Sequence, residues 1–126
     1  MNPTPQKYAF PVATPSYYWS VVPMPIGMTG YMGFFSTSAT NGLIWMNSTM
    51  GEVSRSSGVR TSGGDVITIN GRVYVAYTAY SGDQKGVMRI CDITDGKYNQ
   101  IFNYTMEASG ANGNGTASAC LMVKNN

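Results

Sequence analysis

In the stretch CDITDG, residues 91–96, a thiol and two carboxylates stand close together: Cys91, Asp92 and Asp95. Acidic side chains three residues apart could in principle hold a cation or share a proton. A calcium loop needs oxygen ligands at alternate positions, closed by a bidentate glutamate. DITDG offers neither. Asp beside Gly has a simpler use, because its carboxylate accepts hydrogen bonds from amides a residue or two ahead and so shapes a turn. The spacing predicts a turn.

The remaining acidic residues follow the same logic. The six are Glu52, Asp65, Asp83, Asp92, Asp95 and Glu107. A glycosidase needs only two carboxylates, yet Asp65, Asp83 and Asp95 each adjoin a glycine in an expected turn. The chain contains no histidine, which removes Ser-His-Asp and Cys-His catalysis and the commonest transition-metal ligand. Cys91 and Cys120, without histidine, cannot complete a tetrahedral zinc site. No glycine-rich phosphate loop stands between a strand and a helix. The expectation is a protein that is not an enzyme and takes no metal or cofactor. Both cysteines lie in apolar runs, VMRICDI and ASACLMV, where small buried thiols fill core space. Both are expected reduced and buried.

Eight Lys and Arg against six Asp and Glu leave a net charge of +2. No basic run is present to neutralise several phosphates, so nucleic acid is not an expected partner. No apolar run approaches the roughly 20 residues that span a bilayer as a helix. No basic segment followed by an apolar stretch opens the chain, so no secretory leader is expected. The N-x-S/T patterns at Asn47, Asn103 and Asn114 are what a Ser/Thr/Asn-rich composition produces.

Aromatic side chains can stack on the apolar face of a sugar ring, and Tyr17, Tyr18, Trp19 and Trp45 are the candidates. Trp45, inside GLIWMN, reads as core. Tyr17, Tyr18 and Trp19 read as an interface anchor, since Tyr and Trp dominate binding hot spots.

All six prolines lie at or before Pro25. Proline fixes its own φ, lacks an amide donor and drives its predecessor toward extended geometry, so residues 1–25 are expected to form an extended arm. Its apolar side chains need a surface, on its own domain or on a neighbour. Residues 26–126 are expected to form one all-β domain, a small antiparallel sandwich or barrel of about six to eight strands. Asn70-Gly71 predicts a two-residue hairpin turn, because type I′ geometry needs positive φ at both central residues. The register then sets Ile69 opposite Arg72 and Val66 opposite Val75. Both faces of that hairpin are apolar, so both are expected to be covered. Asp95-Gly96 predicts a second two-residue turn, with Cys91 opposite Gln100, Arg89 opposite Phe102 and Val87 opposite Tyr104. On that register Phe102 and Tyr104 share a face with Cys91, and the face with Asp92, Asn99, Asn103 and Thr105 meets solvent. Residues 51–65, rich in Ser, Gly and Arg, read as an exposed loop displaying Arg55 and Arg60. ASGANGNGTASA reads as a linker, and CLMVK as a last strand.

A low-charge β-domain behind a Pro-rich aromatic arm resembles the accessory virion proteins of bacteriophages, of the capsid-decoration, head-fibre or tail type. The resemblance lies in composition and layout along the whole chain. It implies a structural homo-oligomer, made in the host cytoplasm and carried in the virion, whose partners are other virion proteins or copies of itself. The alternative is an extracellular lectin-like adhesin that binds a host-surface glycan.

Overall fold

The structure, a computed structural model, describes Thr4 and residues 16–37, 41–57, 60–80 and 86–105. Residues 5–15 of the expected arm, the Gly/Asn linker, CLMVK, Cys120 and Asn114 lie outside the described residues. Eight strands follow one another: β1 (Ser16–Pro23), β2 (Tyr31–Thr37), β3 (Asn41–Met46), β4 (Glu52–Ser57), β5 (Arg60–Ile69), β6 (Arg72–Tyr80), β7 (Gly86–Asp92) and β8 (Asn99–Thr105). They form two antiparallel four-stranded sheets, ordered β1-β2-β3-β4 and β5-β6-β7-β8. The all-β sandwich expected from the sequence is the fold observed.

Alternation along each strand builds the core. Met32, Phe34 and Leu43 from the first sheet meet Val66, Val73, Val75, Tyr77, Val87 and Cys91 from the second. Val22, Trp45 and Tyr98 close its margin. Such side chains stabilise by roughly 1.5–3 kcal/mol each when fully buried. Gly64 lies at the meeting point of the sheets: a Cβ there would collide with the Ala76 carbonyl oxygen and the Phe34 ring. Phe35, Ile44 and Met46, with Val21, Tyr31 and Met50 packed against them, form a second buried cluster.

The Asn70-Gly71 hairpin has the expected register, from Ile69↔Arg72 to Val66↔Val75. Both turn residues carry positive φ, 50° and 77°, which is the type I′ requirement. On one face Val66, Val73, Val75 and Tyr77 are buried; on the other Ala76 and Thr78 are buried, whereas Ile67, Ile69 and Tyr74 are half-buried.

Three expectations are corrected. First, residues 51–65 are not a loop: they supply β4 and most of β5. Ser, Gly and Arg have weak strand propensity, but that preference is overridden by context. Here β4 is a sheet edge among the described residues, and Gly64 of β5 admits the Phe34 ring. Arg55 is half-buried and bonded to Glu52, and the Arg60 side chain lies outside the described residues.

Second, the Asp95-Gly96 turn is longer than two residues. Gly96 donates its amide to the Ile93 carbonyl at 2.9 Å, so Thr94 and Asp95 are the central residues, and only Gly96 has positive φ, 80°. Cys91 still pairs with Gln100, but Ile90 pairs with Phe102, leaving Ile101 as the extra residue of a bulge. Beyond it Arg89 pairs with Asn103, Met88 with Tyr104 and Val87 with Thr105. A one-residue slip sends every later side chain to the opposite face.

Third, the fold does not divide at residue 25. Ser16–Pro23 is strand β1, paired with β2 along Trp19↔Phe35 and Val22↔Met32. The prolines still shape it, since β1 is a sheet edge and ends at Pro23, as expected of a residue that cannot complete a central ladder.

Candidate functional site

The carboxylates of DITDG shape the turn between β7 and β8. Thr94 donates to Asp92 Oδ1 through its amide at 3.0 Å and its hydroxyl at 2.6 Å. Arg72 Nε donates to Asp92 Oδ2 at 2.7 Å. The Thr94 hydroxyl oxygen in turn accepts the Val73 amide at 2.9 Å. These bonds fasten the turn to the start of β6. The Thr94 bonds first, and Arg72 after them, hold the Asp92 carboxyl down at about 2. Asp95 accepts the Lys97 amide at 3.0 Å and the Asn99 side-chain amide at 3.0 Å, which lowers its pKa as well.

Glu52 and Arg55 form a two-pronged pair on β4, at 2.9 and 2.8 Å, and the bond from Arg55 lowers the Glu52 pKa. Among the described residues no group of three or more acidic or thiol side chains gathers that could hold a metal ion.

The buried polar groups join strands. Tyr77 and Cys91 touch through Oη and Sγ at 3.9 Å inside the core. Burial pushes the Tyr77 phenol up to about 12 and raises the Cys91 thiol. Cys91 is a buried free thiol, as expected. Tyr98, between β7 and β8, reaches the first sheet: its hydroxyl lies 3.3 Å from Ser54 Oγ and 4.0 Å from Met32 Sδ.

Of the sequence candidates for recognition, Trp45 is half-buried against the core, and its indole N–H donates to the Thr29 carbonyl at 3.4 Å. It is a packing residue. Tyr17, Tyr18 and Trp19 lie on β1, with Tyr18 opposite Ser36 and Trp19 opposite Phe35 in register; their side chains lie outside the described residues. The structure therefore places their backbone in a sheet of this chain.

The surface that sequence reasoning missed is β8. Every residue from Asn99 to Tyr104 is exposed, although strands of a sandwich ordinarily bury one face. Ile101 is 59%, Phe102 44% and Tyr104 56% exposed. Among the described residues the strand contributes nothing to the main core, and the bulge at Ile101 sets which face each of its side chains occupies. Instead of sharing a face with Cys91, Phe102 and Tyr104 share the outer face with Ile90 and Met88. That face continues across β6 and β5 through Tyr74 and Ile67. Its charged groups are the Arg72–Asp92 pair near the turn and Asp65 on β5. On the other face the Arg89 guanidinium donates to Asn103 Oδ1 at 2.9 Å. A signal for the slip exists in the sequence: Ile101 and Phe102 are adjacent apolar residues in QIFNY, which breaks the strict alternation of a regular strand.

The chain thus exposes Ile101, Phe102 and Tyr104 on a strand whose outward edge is unpaired among the described residues. Such a surface can take up another strand or another apolar face. No family model matches the chain, and neither a curated protein nor a solved structure resembles it.

Proposed function

We propose that this protein is a non-enzymatic structural subunit of an assembly of the virion type, docking on neighbouring subunits. The observation that carries this reading is the exposed apolar run Ile101, Phe102 and Tyr104 on a strand that is an edge among the described residues. Contiguous exposed apolar surface on a folded domain marks interaction sites. The polar chemistry agrees with it: Asp92, Asp95, Glu52 and Arg55 are engaged in holding turns and a strand rather than converging on a cleft. The Pro-rich segment before β1, residues 1–15, is the proposed second contact.

The experiment is chemical cross-linking with mass measurement, on the full chain and on a chain lacking residues 1–15. The full chain forms complexes larger than a dimer, and the shortened one stops at the dimer. Identical distributions from both would remove the arm from the reading. Saturable binding to a glycan array, lost in Tyr18→Ala and Trp19→Ala, would replace the reading with that of a lectin.

A further inference from the structure

We infer that Asn70 is a site of spontaneous covalent modification, at which the side-chain amide is lost as ammonia and the hairpin tip between β5 and β6 becomes an aspartyl or isoaspartyl link. The inference stands apart from the assembly reading and does not depend on it.

The chemistry needs only the chain and water. The Gly71 backbone nitrogen attacks Asn70 Cγ, giving up its proton, and the side-chain nitrogen leaves as ammonia. A five-membered succinimide results. Water then opens the ring at one of two bonds. Cleavage of the new N–Cγ bond restores the ordinary backbone with a carboxylate on residue 70. Cleavage of the original peptide bond leaves the backbone running through Cγ, an isoaspartyl link.

Four Asn-Gly pairs occur, at Asn41, Asn70, Asn112 and Asn114, and the last two lie outside the described residues. The structure separates the first two. Gly42 is buried in β3 and pairs with Phe35 on one side and Ser57 on the other, so two ladders hold its nitrogen. Asn70 and Gly71 are both exposed, and a Cβ on Gly71 would meet nothing within 4 Å. Among the described residues, neither the Asn70 carboxamide nor the Gly71 amide has a hydrogen-bond partner. The Asn47 side chain, by contrast, accepts from Thr49 and Gly51. Asn70 is also held at φ 50°, a left-handed conformation that costs a non-glycine residue energy. Only the Ile69–Arg72 pairing beside the turn opposes its leaving that conformation for the attack.

The isoaspartyl product has a structural consequence. It adds a backbone carbon to a turn whose two-residue length sets the register. Val66, Val73 and Val75 of that hairpin lie in the main core, so the modified chain is less stable.

Ageing the full chain at mildly alkaline pH, followed by peptide mapping with mass spectrometry and enzymatic isoaspartate labelling, tests this. The Asn70 amide is lost before that of Asn41. Its loss is no more than about tenfold slower than in a free peptide spanning residues 66–75, since opening the turn breaks about one hydrogen bond. The aged wild type melts lower than the fresh protein. Asn70→Gly, which keeps the turn and lacks the carboxamide, keeps its melting midpoint through the same treatment. An Asn70 that remains an amide in the folded chain while the peptide converts would overturn the inference, because the turn would then protect it. An equal fall in the midpoint of Asn70→Gly would overturn the effect on the hairpin.

Discussion

Asp92 shows how a residue with apparent chemistry serves the fold. Its carboxylate accepts two bonds from Thr94 and one from Arg72, and these favour the charged form over the protonated one. The pKa falls to about 2 in the folded chain, from about 3.9 when unfolded. A depressed carboxylate contributes stability that is present above the unfolded value and disappears as pH falls through the folded one. The melting midpoint should therefore drop between about pH 4 and pH 2. Asp92→Asn should flatten part of that drop, the rest remaining with Asp95 and Glu52, whose pKa values are also lowered. An equal drop in both proteins would contradict this role for Asp92. Tyr77 has the opposite sign. Burial raises its phenol from about 10 to about 12, so its contribution is complete below about pH 10 and disappears as pH rises toward 12. Thermal melts of Tyr77→Phe should lose stability more gently over that alkaline interval than wild type. Gly64 gives a packing test. Gly64→Ala places a methyl against Phe34 and the Ala76 carbonyl and should cost about 1–3 kcal/mol in denaturant melts, as overpacking does.

At the scale of elements, β1 decides how the N-terminal region can be cut. Val22 packs on the main core and Val21 on the second cluster. Removing residues 1–15 should leave a domain that melts cooperatively near the wild-type midpoint. Removing residues 1–25 strips β2 of one of its two neighbours, along with the packing of Val21 and Val22, and should abolish cooperative folding, read by circular dichroism. Equal melts from the two truncations would mean that β1 is dispensable. The elements also show what the sequence could reveal. Asn70-Gly71 defined its hairpin because the turn is local: two residues with positive φ fix the register of everything beside them. Asp95-Gly96 did not, because Asp92 and Thr94 bond back to β6 and enlarge the turn. The bulge at Ile101 then displaced the rest of β8 by one residue. The error at 51–65 had a different origin. Its Ser, Gly and Arg residues lack intrinsic strand preference, and only partners distant in sequence make them strands: Leu43 opposite Ser56, and Tyr77 opposite Gly64. Of the site, the turn at DITDG was legible from residue types alone. The exposure of β8 was not, because it depends on how far the first sheet reaches across the second, and the slip at Ile101 further changes which side Phe102 and Tyr104 occupy.

For the whole molecule, two sheets packed on a shared core leave one strand beyond the cover of the other sheet. The first sheet lies against Val66, Val75, Tyr77 and Cys91, and the side chains of β8 from Asn99 to Tyr104 remain exposed on both faces. Under the proposed assembly reading, the same apolar burial that stabilises the core would be available to Phe102 and Tyr104 in a contact with a neighbour. Sedimentation equilibrium of the untagged full chain across a hundredfold range of concentration tests this most directly. A weight-average mass that climbs from the monomer toward the dimer and beyond is the predicted result. A mass that stays at 13.6 kDa at every concentration would contradict the assembly account.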